Sequence, residues 1–362
     1  MKKCMAILTA LVLTIAAEAQ TLNVTVGNVV YQFPSSQTGD MTYNNGSTLT
    51  VMGKTFTLSE VSGMTVDNTS VTDNLVKVEY ASSSAKVYVA GNVAQYVEPT
   101  VSGAHVTIAQ SNTDAVGDDE ITYQLSGTTT DGSLTLSGTY KCTVSLAGIS
   151  MTNPSGAAIN ITNSKRIQIS AKKGTENTLA DGTGGSQKAC IYSKGQIQLQ
   201  GNGTLSVSGN TKHAIKSASY ISIKNLTLNI TSAAGDGISC EEYFQMKSGT
   251  VTISGTSDDG IQCDLGGTTS TGITEDHDDE DTGNVYIEGG TLTVTTDATA
   301  AKCVKSEGSI SVSGGTIVLN ANGDIDMTDV SDPSYAAGFK ADGDFTQSGG
   351  DITINVKGGA GR

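Results

Sequence analysis

Two aspartates open identical tripeptides 23 residues apart, Asp236-Gly-Ile238 and Asp259-Gly-Ile261. Asp258 precedes the second, and a further acid lies three residues beyond each isoleucine, Glu241 and Asp264. The same offset later gives Glu307 and Asp342, and the run Glu275-Asp-His-Asp-Asp-Glu-Asp281 adds Asp276 and Asp278. Clustered carboxylates among glycine-rich turns are the ligand set of a hard divalent ion, above all Ca²⁺ with about six to eight oxygens. Like charges facing one another on neighbouring strands destabilise the pairing unless a cation lies between them or a proton is taken up. The candidate metal ligands are therefore Asp236, Asp258, Asp259, Asp264, Glu241, Asp276 and Asp278. Asp276-x-Asp278-x-Glu280 has the alternation of an EF-hand loop without its glycine at the sixth position. The competing reading is that these acids only solvate the surface.

Catalytic chemistry has less support. His105, His213 and His277 lie far apart and have no serine or cysteine nucleophile at a recognisable spacing. Paired carboxylates could serve glycoside hydrolysis, but many pairs in an acidic repeat would qualify. One coherent lyase chemistry exists, in which Ca²⁺ acidifies a uronate α-proton and a lysine removes it. Lys194, Lys212, Lys216 and Lys247 lie near the acidic columns. Of these, Lys216 and Lys247, with His213, are the candidate contacts to an acidic substrate, and no catalytic residue is assigned. A net charge of −15 disfavours nucleic acid. Trp is absent and aromatics make up 5% of the chain, so stacking platforms for sugars are not expected.

These residues are positioned by a repeat. Lead apolar residues stand at Ile191, Ile215, Ile238 and Ile261, in steps of 24, 23 and 23 residues, followed by Val304 and Phe339 after longer intervals. A second column holds Ile197, Ile221, Phe244, Val285, Ile310 and Phe345, and a third Leu205, Leu228, Val251, Leu292, Ile317 and Ile352. A fixed period of this size marks stacked units that cannot bury an apolar face alone. Within each unit the apolar residues alternate at strand spacing and no helical rhythm is present. The pattern predicts an all-β, right-handed parallel β-helix in which a sequence column becomes a spatial row at about 4.8 Å per rung.

Lys2 and Lys3, an apolar run and Ala17-Glu18-Ala19 predict an export signal over residues 1–19. Residues 20–73 alternate without the period and predict an N-terminal β segment or cap. Residues 74–362 form the β-helix, with regular coils from about 189 and no cap pattern after the last strand. Five cysteines follow the leader, with no C-x-x-C pair. Cys240 and Cys263 share one column, in reach of a disulfide or as a buried thiol ladder. No transmembrane segment is expected, and the chain is expected to be monomeric, secreted or at the bacterial cell surface or periplasm.

The segments Gly174–Gly182, Gly203–His213, Gly235–Ile238, Asp258–Gln262 and Tyr286–Leu292 resemble the bacterial calcium-binding parallel β-helix carbohydrate-binding family, similar in shape to the family-nine pectate lyases. The likeness covers roughly Cys142 to Asn355. It implies a carbohydrate-binding protein that takes calcium and acidic plant polysaccharide such as polygalacturonate, with cellulose a further ligand class, and that binds rather than cleaves. It also implies that Asp236, Asp258, Asp259 and Asp264 hold the metal. His213 and Lys302 stand where an aspartate would extend the row, which confines the site to the middle coils. A calcium-dependent pectate lyase and a structural adhesin are the alternatives.

Overall fold

The computed structural model describes residues 20–357 apart from 271, 275, 276 and 278. The expected leader, Asp276, Asp278 and the last residues of the tail lie outside the described residues. Each coil contributes three short strands, and successive coils stack in parallel to give three faces.

The first face is a ten-stranded sheet, counted among the described residues. Its column pairs Ile191 with Ile215, Ile238, Ile261, Val304 and Phe339 in turn. The second face pairs Ile197, Ile221, Phe244, Val285, Ile310 and Phe345 in the same way. On the third face Leu205, Leu228, Val251, Leu292, Ile317 and Ile352 follow one another. All three columns expected from the spacing are thus physical rows, and the molecule is a parallel β-helix.

The columns form because one residue in two points inward, and β-branched side chains suit that crowded interior. Ile191, Ile215, Ile238 and Ile261 are fully buried, and each such side chain is worth about 1.5–3 kcal/mol against exposure. Cys240 and Cys263 pair directly on the first face. The described cysteines are free and buried, so the thiol ladder, not a disulfide, fills that part of the core.

The N-terminal segment is hydrogen-bonded into the same framework. Thr21–Val26 lies antiparallel between Val29–Pro34 and Val61–Asp67. Val29–Pro34 runs parallel to Ser84–Ala90, whose antiparallel partner Leu75–Ala81 is parallel to Ile121–Thr129. A small three-stranded sheet places Phe56 edge-on to Tyr31 and Phe33. The segment therefore covers the upper end of the solenoid. Among the described residues no helix is long and apolar enough to cross a membrane.

Candidate functional site

The corner where the third face turns into the first carries a ladder of polar side chains. Asp236 donates its backbone N–H to Nδ1 of His213 at 3.1 Å. Asp259 donates its N–H to Oδ1 of Asp236 at 3.2 Å, and Lys302 donates its N–H to Oδ1 of Asp259 at 2.7 Å. Each side chain thus satisfies the backbone of the same position one rung further on. The glycines of the two Asp-Gly-Ile tripeptides let the rungs close up. A Cβ at Gly237 would sit 2.7 Å from the Gly260 carbonyl, and one at Gly260 only 2.3 Å from Val294. The tripeptide therefore joins two needs, an acid for the ladder and a residue without a side chain for the turn.

Because Oδ1 of each aspartate is committed to the ladder, Oδ2 is the atom left for a cation. Oδ2 of Asp236 is 3.1 Å from Nδ1 of His213, and Oδ2 of Asp259 is 3.6 Å from Nζ of Lys305. The His213 nitrogen accepts the Asp236 N–H, and in that role it has no proton to give Oδ2. Asp236 and Asp259 are buried, Asp258 is exposed, and the three offer oxygens within 4.8 Å of one another. Burial, reinforced by Asp258 and Asp236, pushes the Asp259 carboxyl up to about 6, while the Lys302 N–H and Lys305 partly hold it down. Lys302 itself turns away, its ammonium donating to the Ala300 carbonyl at 2.5 Å and to Ser334 at 2.9 Å.

Among the candidate ligands, Asp236, Asp258 and Asp259 are brought together, and Glu241 and Asp264 are not. Those two pair with each other at the far end of the first-face strands, five residues from the aspartate ladder and so about 16 Å away at about 3.3 Å per residue. Glu241 pairs with Lys216 at 3.5 Å, while Asp264 accepts the Gln262 amide at 2.7 and 2.8 Å. Two acidic columns on one strand occupy opposite edges of its face.

The insertion follows the same geometry. It leaves the strand after Asp264 and returns at Asn284 on the second face, so it lies at the far corner with Asp264 and not at the aspartate ladder. Its Glu280 is fully enclosed and accepts from Nδ1 of His277 at 2.7 Å, Tyr286 O–H at 2.5 Å and the Asn284 amide at 3.3 Å, with the Thr282 hydroxyl as a further donor. Asp281 accepts the backbone N–H groups of Gly266 and Thr268.

Of the candidate substrate contacts, His213 lies in the ladder and Lys216 on the outward row of the first face. Lys247 follows the second-face strand Tyr243–Met246, exposed and away from both. The outward row runs Asn160, Tyr192, Lys216, Ser239, Gln262, Lys305 and Lys340 on successive rungs. Lys305, absent from the sequence candidates, is the lysine beside the carboxylates. Its signal was available, since it stands one residue after the lead Val304, as Lys216 stands after Ile215. Tyrosines also gather on the second face: Tyr220 stacks on Tyr243 at 4.6 Å and 18°, and Tyr243 meets Tyr286 edge-on at 6.4 Å.

With this geometry in view, comparison with known proteins is direct. The family described as carbohydrate-binding domain-containing protein matches residues 102–360. A carbohydrate-binding domain-containing protein of Acetivibrio thermocellus is 29% identical over 111 residues, covering 28% of this chain and 39% of that protein. The chain thus spans about two fifths of that relative's length. A solved structure, the gadolinium derivative of the polysaccharide lyase-like protein from C. thermocellum, covers 78% of this chain and 96% of its own at 20% identity, with a TM-score of 0.47. The match over most of the β-helix shows that this chain belongs to the family of carbohydrate-binding domain-containing proteins.

Proposed function

We propose that the chain is an exported protein that binds acidic, uronate-type polysaccharide through calcium and does not cleave it. The observation that carries this reading is the group of Asp236, Asp258 and Asp259, two of them buried, with oxygens within 4.8 Å of one another. Two ligand oxygens on one calcium lie at most about 5 Å apart, because each Ca–O distance is about 2.3–2.6 Å. The donor set therefore fits the ion, and the Oδ2 atoms of Asp236 and Asp259 and a carboxylate oxygen of Asp258 would hold it. Bound calcium supplies a shared positive centre that attracts uronate carboxylates to a protein of net charge −15.

The chain's own residues do the rest. Lys216, Lys305 and Lys340 lie along one outward row, at about 4.8 Å per rung. Lys305 and Lys340 stand on adjacent rungs beside the ion site and Lys216 three rungs from Lys305 across Gln262 and Ser239, so a polymer along the row meets ammonium groups on both sides of the ion. The test is retention on a pectate gel with Ca²⁺ and its loss in EDTA. Retention in neither condition points to a structural or adhesive role.

A lyase is the second reading, and Lys305 is the observation behind it, since a base beside a metal-bound uronate is what β-elimination needs. Lys305 is ion-paired with Asp259, and an ammonium attracts a carboxylate but takes no proton. Binding is accordingly the reading preferred. A steady rise in absorbance from unsaturated uronate, on incubation with polygalacturonate and Ca²⁺, would replace it with the lyase.

A further inference from the structure

We propose that the cleft between the second face and the insertion is a separate subsite for a neutral pyranose unit, with Tyr220 as its stacking platform. The inference rests on membership of a carbohydrate-binding family and is independent of the calcium-dependent uronate reading.

Register builds the platform. Ile221 pairs with Phe244 on the second face, so the residues just before them, Tyr220 and Tyr243, are neighbours one rung apart. Their rings stack, and Tyr243 is backed in turn by His277 at 5.3 Å. His277 lies 4.2 Å from Tyr286, and Glu280 binds both. The Gln198 amide fixes the Tyr220 hydroxyl at 3.1 Å. A ring held on several sides loses little freedom when a ligand lands on it.

The cleft beside this ring has a volume of about 440 Å³ and is lined by Arg166, Gln196, Gln198, Tyr220, Glu242 and Asp279, among others. That volume falls in the range of small-molecule sites. Aromatic face, amides and carboxylates together match a sugar, whose C–H surface stacks and whose hydroxyls both donate and accept. The charge balance selects the class of sugar. The Arg166 guanidinium is tied to Glu120, and Lys141 adds to that pair at 3.4 Å. Glu242, which accepts the Ser219 hydroxyl, and the exposed Asp279 are the remaining charges at the cleft, which opposes a uronate carboxylate and welcomes hydroxyl donors.

The test titrates the full chain in EDTA with neutral xylo-, gluco- and manno-oligosaccharides, followed by tyrosine fluorescence, which no Trp obscures. Pectate-gel retention in Ca²⁺ is measured in parallel. At least one neutral oligosaccharide is expected to bind, and Tyr220→Ala to weaken it about tenfold. Asp279 is exposed at φ 52, a conformation asparagine tolerates, so Asp279→Asn is expected to weaken binding severalfold with an unchanged melting temperature. Pectate retention should be unaffected by either substitution. The proposal is overturned if no neutral oligosaccharide binds in EDTA, if neither variant weakens binding, or if oligogalacturonate displaces the neutral sugar from the cleft. Neutral binding without pectate retention would instead remove the uronate reading and leave the cleft standing.

Discussion

The two edges of the first face treat a buried carboxylate in opposite ways. At the insertion corner Glu280 is surrounded by donors from His277, Thr282, Asn284 and Tyr286, so both its oxygens are met within the protein. At the aspartate corner Asp236 and Asp259 each give one oxygen to the next rung's backbone, while the other lies 3.1 Å from Nδ1 of His213 in Asp236 and 3.6 Å from Nζ of Lys305 in Asp259. A carboxylate satisfied on all sides is architecture, since a buried charge is tolerated only when paired and hydrogen-bonded. The proposed calcium site is built from carboxylates of the second kind, each with one oxygen outside the ladder and two other acids beside it.

The largest expected effect tests that difference. Asparagine at position 259 keeps an acceptor for the Lys302 N–H and removes the charge. Asp259→Asn is therefore predicted to abolish most of the calcium-dependent gain in melting temperature. In the unaltered chain that gain corresponds to about 4 kcal/mol when calcium exceeds its dissociation constant about a thousandfold. A full gain in the variant would take Asp259 out of the ligand set.

Glu280→Ala should act the other way round. It strands buried donors that cost about 1–3 kcal/mol when left unpaired, so the melting temperature falls while the calcium-dependent gain is retained. A lost gain would show that the two corners are coupled.

Proton linkage gives a smaller effect with a definite sign. The Asp259 carboxyl is raised to about 6 in the folded chain from 3.8, so the metal-free fold takes up a proton the unfolded chain lacks. Its contribution makes the metal-free protein more stable as pH falls from 7 through 6 towards 4, and less stable as pH rises back. With Ca²⁺ the proton competes with the ion, so the calcium-dependent gain shrinks over the same fall. Melting curves at pH 7 and pH 5, in EDTA and in Ca²⁺, compared with Asp259→Asn to isolate this group, check both signs. The smallest effect is expected from Lys305→Ala, which should weaken pectate retention severalfold while leaving the calcium gain in place.

The rods of apolar side chains were legible because strand alternation and a fixed period translate directly into neighbours. Ile215, Ile238 and Ile261 can be aligned by eye, and the fold follows. The aspartate ladder was legible for the same reason, through its repeated Asp-Gly-Ile. A column, however, tells which residues share a row and says nothing of the distance between two rows on one strand. Charge and repeat position, and for Asp264 the family likeness, join Glu241 and Asp264 to Asp236 and Asp259, although five residues of extended chain separate the two columns. Composition says nothing of where aromatics meet, and stacking brings Tyr220 and Tyr243 together across 23 residues of sequence. That pairing is visible only if the position before the second-face apolar residue is itself read as a column. Glu280, His277 and Thr282 come from a loop outside the period, where no register guides the eye, and only their partners Asn284 and Tyr286 stand on a second-face strand.

The most direct measurement is a melting curve of the unaltered chain in EDTA, in Ca²⁺, and in Ca²⁺ with oligogalacturonate. The melting temperature is expected to rise on adding calcium and to rise further with the oligosaccharide, the further rise disappearing when calcium is removed. A melting temperature indifferent to calcium, or an oligogalacturonate effect that persists in EDTA, would contradict the calcium-dependent uronate reading.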